Sequence, residues 1–118
     1  MHHFNDLKVW KQSMELCKQV HYLVKGFPAE EKYVLTSQIM RSSISIPSNI
    51  AEGCGRGTNK ELVHFLQISM GSAFELETQF ILALEFSYIT EDEHILIKNK
   101  LSEIQKMIYA FHKSLNIN

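Results

Sequence analysis

Two Glu-x-x-His pairs stand out in the chain, Glu61/His64 and Glu91/His94. Residues three apart share a helix face, and four-helix proteins use this spacing to hold two metal ions with carboxylate and imidazole ligands. Here both pairs open consecutive helices, and antiparallel helices place such starts at opposite ends of a bundle. A third helix of about 28 residues puts the pairs roughly 40 Å apart at 1.5 Å per residue, too far to share a metal. His21 and His112 are single residues on largely apolar helices and read as boundary histidines. His2 and His3 offer only adventitious metal binding. No metal or other cofactor is predicted.

The stretch "RSSISIPSNIAEGCGRG", Arg41–Gly57, concentrates serines, an Asn, a Glu, two arginines and three glycines. Its glycines at 53, 55 and 57 do not make a dinucleotide loop, which needs GxGxxG between a strand and a helix. They are not a P-loop either, because Gly57-Thr58-Asn59-Lys60 lacks the Gly-Lys-Ser/Thr ending. Ser42, Ser43, Ser45 and Ser48 lack the GxSxG elbow of a nucleophilic serine. As a helix the stretch makes better sense. Arg41, Ser45, Asn49, Glu52 and Arg56 step by four or three and form one polar stripe, with Ile39, Ile46 and Ile50 on another. Glu52 and Arg56 are an i, i+4 pair in the favourable order. Pro47 lacks an amide hydrogen and crowds the carbonyl of Ser43, so a kink is expected there, with a neighbouring Ser hydroxyl covering part of the loss. The stripe reads as a structural network or a binding surface. Spacing alone leaves both open.

The elements that carry these residues are helices, since 3.6-residue periodicity runs through the chain and strand alternation does not. The expected helices span roughly 6–25, 30–53, 59–87 and 91–113. In the first, Trp10, Met14, Cys17, His21 and Val24 form the apolar face, with Trp10 a core or interface anchor. "GFP" at 26–28 ends it. Leu35, Ile39, Ile46 and Ile50 mark the second. Thr58 with Glu61, and Thr90 with Glu93, have capping-box spacing for the third and fourth. Ile97, Leu101, Ile104, Ile108, Phe111 and Leu115 mark the last. Four such helices with short connections predict an all-α, antiparallel up-and-down four-helix bundle in a single domain.

The third helix is apolar nearly all round, which calls for cover on more than one side. A second copy of the chain is the simplest cover. Ser69, Gly71, Ser72 and Ala73 are small enough for close helix approach, and with Phe74 and Phe80 they form the expected oligomer interface. Gly71 within a helix costs about 1 kcal/mol relative to Ala, which close packing would offset.

The chain has 118 residues, 45% of them hydrophobic, and a formal net charge of −1. There is no global basic excess of the kind that marks nucleic-acid-binding domains. The charge is nevertheless segregated. Residues 1–60 hold eight Lys and Arg against five acids, 61–97 hold seven acids and no Lys or Arg, and 98–118 are basic again. This pattern suits an anionic partner at the N-terminal half or complementary contacts between copies. Lys11, Lys18 and Lys25 recur every seven residues, with Lys8 one turn before and Glu15 interrupting. That stripe is either a solvated face or a set of phosphate contacts. The candidate nucleic-acid contacts are Lys8, Lys11, Lys18, Arg41, Arg56 and Lys60. Two cysteines without CxxC spacing read as free thiols in a reducing compartment. The start lacks an apolar signal core, and no apolar run approaches the ~18 residues of a membrane span. A soluble cytoplasmic protein is expected, with no membrane or small-molecule substrate among its partners.

"SIPSNIAEGCGRG", with Arg41 upstream, resembles the hallmark of the four-helix-bundle proteins encoded by intervening sequences in bacterial large-subunit (23S) ribosomal RNA genes. The likeness extends to "FNDLKVW", "FPAEEKYVLTSQIMR" and "FLQISMGSAFELET", in order, over roughly residues 4–90. That family is similar to the accessory variability proteins of diversity-generating retroelements, which associate with a reverse transcriptase and nucleic acid. The resemblance implies a homopentameric ring and no known enzyme activity. The leading expectation is therefore a non-enzymatic homo-oligomeric scaffold or RNA-associated accessory protein. The alternative is an adaptor for another polypeptide, such as a polymerase or reverse transcriptase. An anion-binding enzyme built on Arg41, Asn49, Glu52 and Arg56 is the remote third.

Overall fold

The computed structural model describes residues 2–116. All regular structure among them is helical: α1 (Lys8–Val24), α2 (Leu35–Cys54), α3 (Asn59–Glu85) and α4 (Glu91–Ser114), with 3-10 turns at Phe4–Asp6 and Ala29–Glu31. Each helix packs on the next and α4 on α1, while the backbones of the diagonal pairs α1/α3 and α2/α4 stay apart. The helices thus stand at four corners of a bundle 43 Å long and 24 Å across. None among the described residues is long and apolar enough to cross a membrane.

The core follows the apolar rows. Leu16 and Val20 of α1, Ile39, Ile46 and Ile50 of α2, Leu66, Leu76 and Phe80 of α3, and Ile97, Leu101, Ile104 and Ile108 of α4 are fully buried. In α1 the buried row is Val9, Ser13, Leu16, Val20 and Val24, one residue round from the expected face. Met14 and His21 are exposed, while Trp10 and Cys17 are half-buried. A serine hides this row in the sequence. Ser13 tolerates burial because its hydroxyl donates to the Val9 carbonyl at 2.7 Å within the same helix.

Helix ends differ from expectation where side-chain contacts beyond the helix pattern set them. α1 starts at Lys8 because residues 4–6 form a separate 3-10 turn, pinned by Phe4 packing edge-on against Trp10 at 5.2 Å. α2 starts at Leu35 and not near Glu30, since Val34 leaves the helical region with φ −118° and ψ −99°. Glu31 serves both sides of that break. One carboxylate oxygen accepts from the Leu35 amide at 3.4 Å, and the other from the Tyr88 hydroxyl at 2.7 Å. The start of α2 is thereby tied to the turn between α3 and α4.

α3 ends in a Schellman arrangement. The Tyr88 amide donates to the Ala83 carbonyl and the Ser87 amide to the Leu84 carbonyl, both at 2.9 Å. Ser87 adopts φ 63°, where glycine is the usual choice. Thr58 caps α3 through the Glu61 amide. At α4 the full reciprocal box forms between Thr90 and Glu93.

Candidate functional site: a polar seam inside and two unlike faces outside

Most of the hallmark stretch lies in α2, where Ser42 and Ser45 turn toward α3, while Ser43 bonds the Met40 carbonyl of its own helix and Ser48 is exposed on the α1 side. Ser42 donates to Glu75 at 2.9 Å, Ser45 pairs with Ser72 at 2.8 Å, and Ser69 donates to the Ile46 carbonyl at 2.9 Å. Residue numbers rise along α2 as they fall along α3, so these two helices run antiparallel. Asn49 closes the network by donating to both the carbonyl and the hydroxyl of Ser45, at 2.8 and 2.9 Å. Ser42, Ser43 and Ser69 are buried. Buried hydroxyls cost little when each finds a partner, and here each does.

Small side chains matter at this seam because the backbones come close. A Cβ added at Gly53 would sit 2.8 Å from a Leu62 methyl and 2.9 Å from the Phe65 Cβ. Within the chain Gly71 packs against no other element, since nothing lies within 4 Å of a Cβ there, and it is exposed on the outer side of α3. Gly53 was legible in hindsight, because Ile46, Ile50 and Gly53 continue one buried row.

Pro47 sits inside α2, and the helix continues to Cys54. The amide that Pro47 lacks would have bonded the Ser43 carbonyl. The donor that replaces it is not a serine. The Cys17 thiol of α1 donates to the Ser43 oxygen at 3.1 Å. Burial raises the Cys17 thiol above its ordinary value, so it stays protonated and able to donate at neutral pH. Burial raises Cys54 likewise. Both cysteines are free. Cys17 also lies in a groove of about 360 Å³ between α1 and α2, with Trp10, Met14, Ile44 and Pro47.

The expected polar stripe therefore divides. Ser45 and Asn49 are half-buried in the seam, while Arg41, Glu52 and Arg56 are exposed. Arg56 bonds Glu52 at 3.0 Å and lies over the Phe65 ring at 4.9 Å. This places Arg56 at the end of α2, near Lys60 and His64, and apart from Arg41. Glu61 and Glu91 occupy the first turns of α3 and α4, where an acid complements the helix dipole.

The expected oligomer interface needs correction. Ser69, Ala73 and Phe80 are buried within the chain itself, at 0–1% exposure. Ser72 is spent on Ser45. Their small size serves the approach of α2, not that of another copy. Of the six residues, Gly71 and Phe74 face outward. They share the outer side of α3 with other exposed apolar residues that the sequence hid among its many: Ile68, Ile81, Leu82 and Phe86. Glu75 and Glu85 are exposed on the same helix, which carries no Lys or Arg beyond Lys60.

The diagonally opposite helix has the opposite character. Lys8, Lys11, Lys18 and Lys25 of the α1 region are all exposed. Lys18 meets Glu15 at 3.2 Å, and Lys25 lies over the Tyr22 ring at 5.4 Å. Beside them a groove of about 630 Å³ opens between α1 and α4, flanked by Tyr22, Leu23, Leu96 and Ile97. Lys18 and Lys100 are at its rim, as are Glu93 and Glu103.

Known proteins agree with this architecture. A crystal structure of a protein with unknown function, from the S23 ribosomal protein family of Bacteroides thetaiotaomicron, superposes with a TM-score of 0.82. It is 30% identical and covers 89% of this chain and 98% of its own. No curated protein matches. Residues 5–110 match the 23S rRNA-intervening sequence protein family. With four helices and a hallmark stretch that knits two of them together, the chain belongs to the family of 23S rRNA-intervening sequence proteins.

Proposed function

We propose that the chain is a non-enzymatic scaffold that assembles with copies of itself and serves as an RNA-associated accessory protein. The observation that carries this reading is the outer face of α3. Phe74 and Phe86 are 55% and 53% exposed in a single chain; Phe74 and Ile81, seven residues apart, share one flank of the helix, and Leu82 and Phe86 lie round from them. Large apolar side chains left exposed together on one helix mark an interaction surface. The ring of five that the family resemblance implies is the specific form proposed. The polar side chains of the hallmark favour a structural role, because Ser42, Ser45, Asn49 and Ser69 spend their hydrogen bonds inside the bundle. The RNA clause draws support from exposed Lys8, Lys11, Lys18, Arg41, Arg56 and Lys60.

Light scattering tests the scaffold, with a mass near five chains expected. A single-chain mass removes it and favours an adaptor whose partner polypeptide covers α3. Filter binding to structured RNA at two salt concentrations tests the RNA clause. Binding that weakens steeply as salt rises is expected of phosphate contacts. Absence of binding at low salt removes that clause and leaves the scaffold.

A further inference from the structure

Resting on the self-association proposed above, we infer that the outer face of α3 docks into the α1/α4 groove of a second copy, a head-to-tail contact between two different surfaces. Three observations carry it. The first is shape. Phe74 and Ile81 are seven residues apart and stand about 10.5 Å from each other along one side of α3. The groove's α4 wall runs from Glu93 to Glu103, about 15 Å at the same rise, which accepts two turns of helix. Its volume of about 630 Å³ leaves room for both side chains.

The second is charge. The α3 face offers Glu75 and Glu85 and no cation. Two α3 faces laid together would oppose acids with nothing between them, and like charges across an interface disfavour that pairing. The α1 wall of the groove offers Lys18, which already meets Glu15 of its own helix, and Lys25 lies beside the groove over Tyr22. The α4 wall adds Lys100 as well as Glu93 and Glu103, so the groove is mixed in charge and offers the acids of the incoming helix cations that a second α3 face does not.

The third is apolar exposure at the receiving site. Tyr22 is 77% and Leu96 69% exposed, and they flank the groove from opposite helices. α1 and α3 occupy diagonal corners, so docking one surface leaves the other free for the next copy. Such heterologous contacts build closed rings when the rotation closes.

The test uses two full-length variants, Phe74→Arg on the α3 face and Leu96→Arg in the groove, each confirmed folded by circular dichroism. Both side chains are exposed, so the fold should be kept. Each variant alone should fall to the mass of one chain. Mixed in equal amounts they should form a two-chain species, because one retains an intact groove and the other an intact α3 face. If the wild type assembles but Leu96→Arg assembles equally well, the head-to-tail contact is overturned while self-association stands. If variants alone are monomers and the mixture stays monomeric, the pairing is likewise overturned. A monomeric wild type overturns the self-association on which both rest.

Discussion

The α2/α3 seam and the α1/α4 side of the bundle solve the same packing problem in opposite ways. At the seam, polar side chains point inward and bond one another, and a glycine lets the backbones close. On the α1/α4 side, apolar side chains stay exposed around an open groove. The residues that look functional in the sequence are thus largely structural, and residues that look like ordinary core are left on the surface. Polarity alone does not sort the inside from the outside here. At the seam the deciding quantity is whether each buried hydroxyl finds a partner, as Ser42, Ser43 and Ser69 do.

The sharpest way to break the seam is steric. Gly53→Val places carbons against Leu62 and Phe65 at under 3 Å from Cβ. It should cost about 3 kcal/mol, read from urea denaturation, since overpacking at a close contact forces backbone shifts. Gly71→Ala, with open space at its Cβ, should instead stabilise the chain by roughly 0.5–1 kcal/mol through helix propensity. Equal effects at both glycines would show that the seam at Gly53 is no closer an approach than the open outer side of α3 at Gly71.

Next in size is the thiol that serves α2. Cys17→Ala removes the donor to the Ser43 carbonyl, and an unsatisfied buried acceptor costs about 1–3 kcal/mol. Cys17→Ser retains a donor and should recover part of that loss in the same denaturation experiment. Identical losses in both variants would mean that packing, not the hydrogen bond, is what Cys17 contributes.

A pH effect separates the helix-end tie from both regions. The hydrogen bond to Glu31 raises the Tyr88 phenol above its ordinary value. Its stabilising contribution is therefore present below the unfolded-state phenol pKa of about 10 and is lost as pH rises through the higher folded value. The wild type should lose stability in that alkaline window by more than Tyr88→Phe does. Parallel pH profiles would contradict the tie.

The smallest effect belongs to the exposed end of the hallmark. Glu52 and Arg56 form a surface pair, half exposed on both sides. Glu52→Ala should change stability by less than about 0.5 kcal/mol. Unfolding of this variant would show that the polar stripe is one structural unit and that its division into seam and surface is wrong.

The sequence made much of the fold legible, and the exceptions share a cause. Helix number, the caps at Thr58 and Thr90, and the buried rows of α2 and α4 follow from local pattern. The α1 face was misplaced by one residue because Ser13 satisfies itself on Val9. The start of α2 depends on Glu31 reaching Tyr88, 57 residues away. The substitute donor for Pro47 comes from α1, 26 residues before the carbonyl it serves. The small residues of α3 signalled a close approach correctly in kind, but spacing could not tell α2 from a second copy. Apart from Ser13, whose partner lies in its own helix, what the sequence hid are contacts between elements, and no local period encodes those.

The central claim is that the seam holds one chain together while the outer α3 face holds chains to each other. The most direct measurement is the absolute mass, by light scattering, of the wild type and Phe74→Arg in one run. The account predicts a wild-type mass several times the 13.7 kDa of one chain, and a folded single chain for the variant. Equal masses for the two proteins would contradict it.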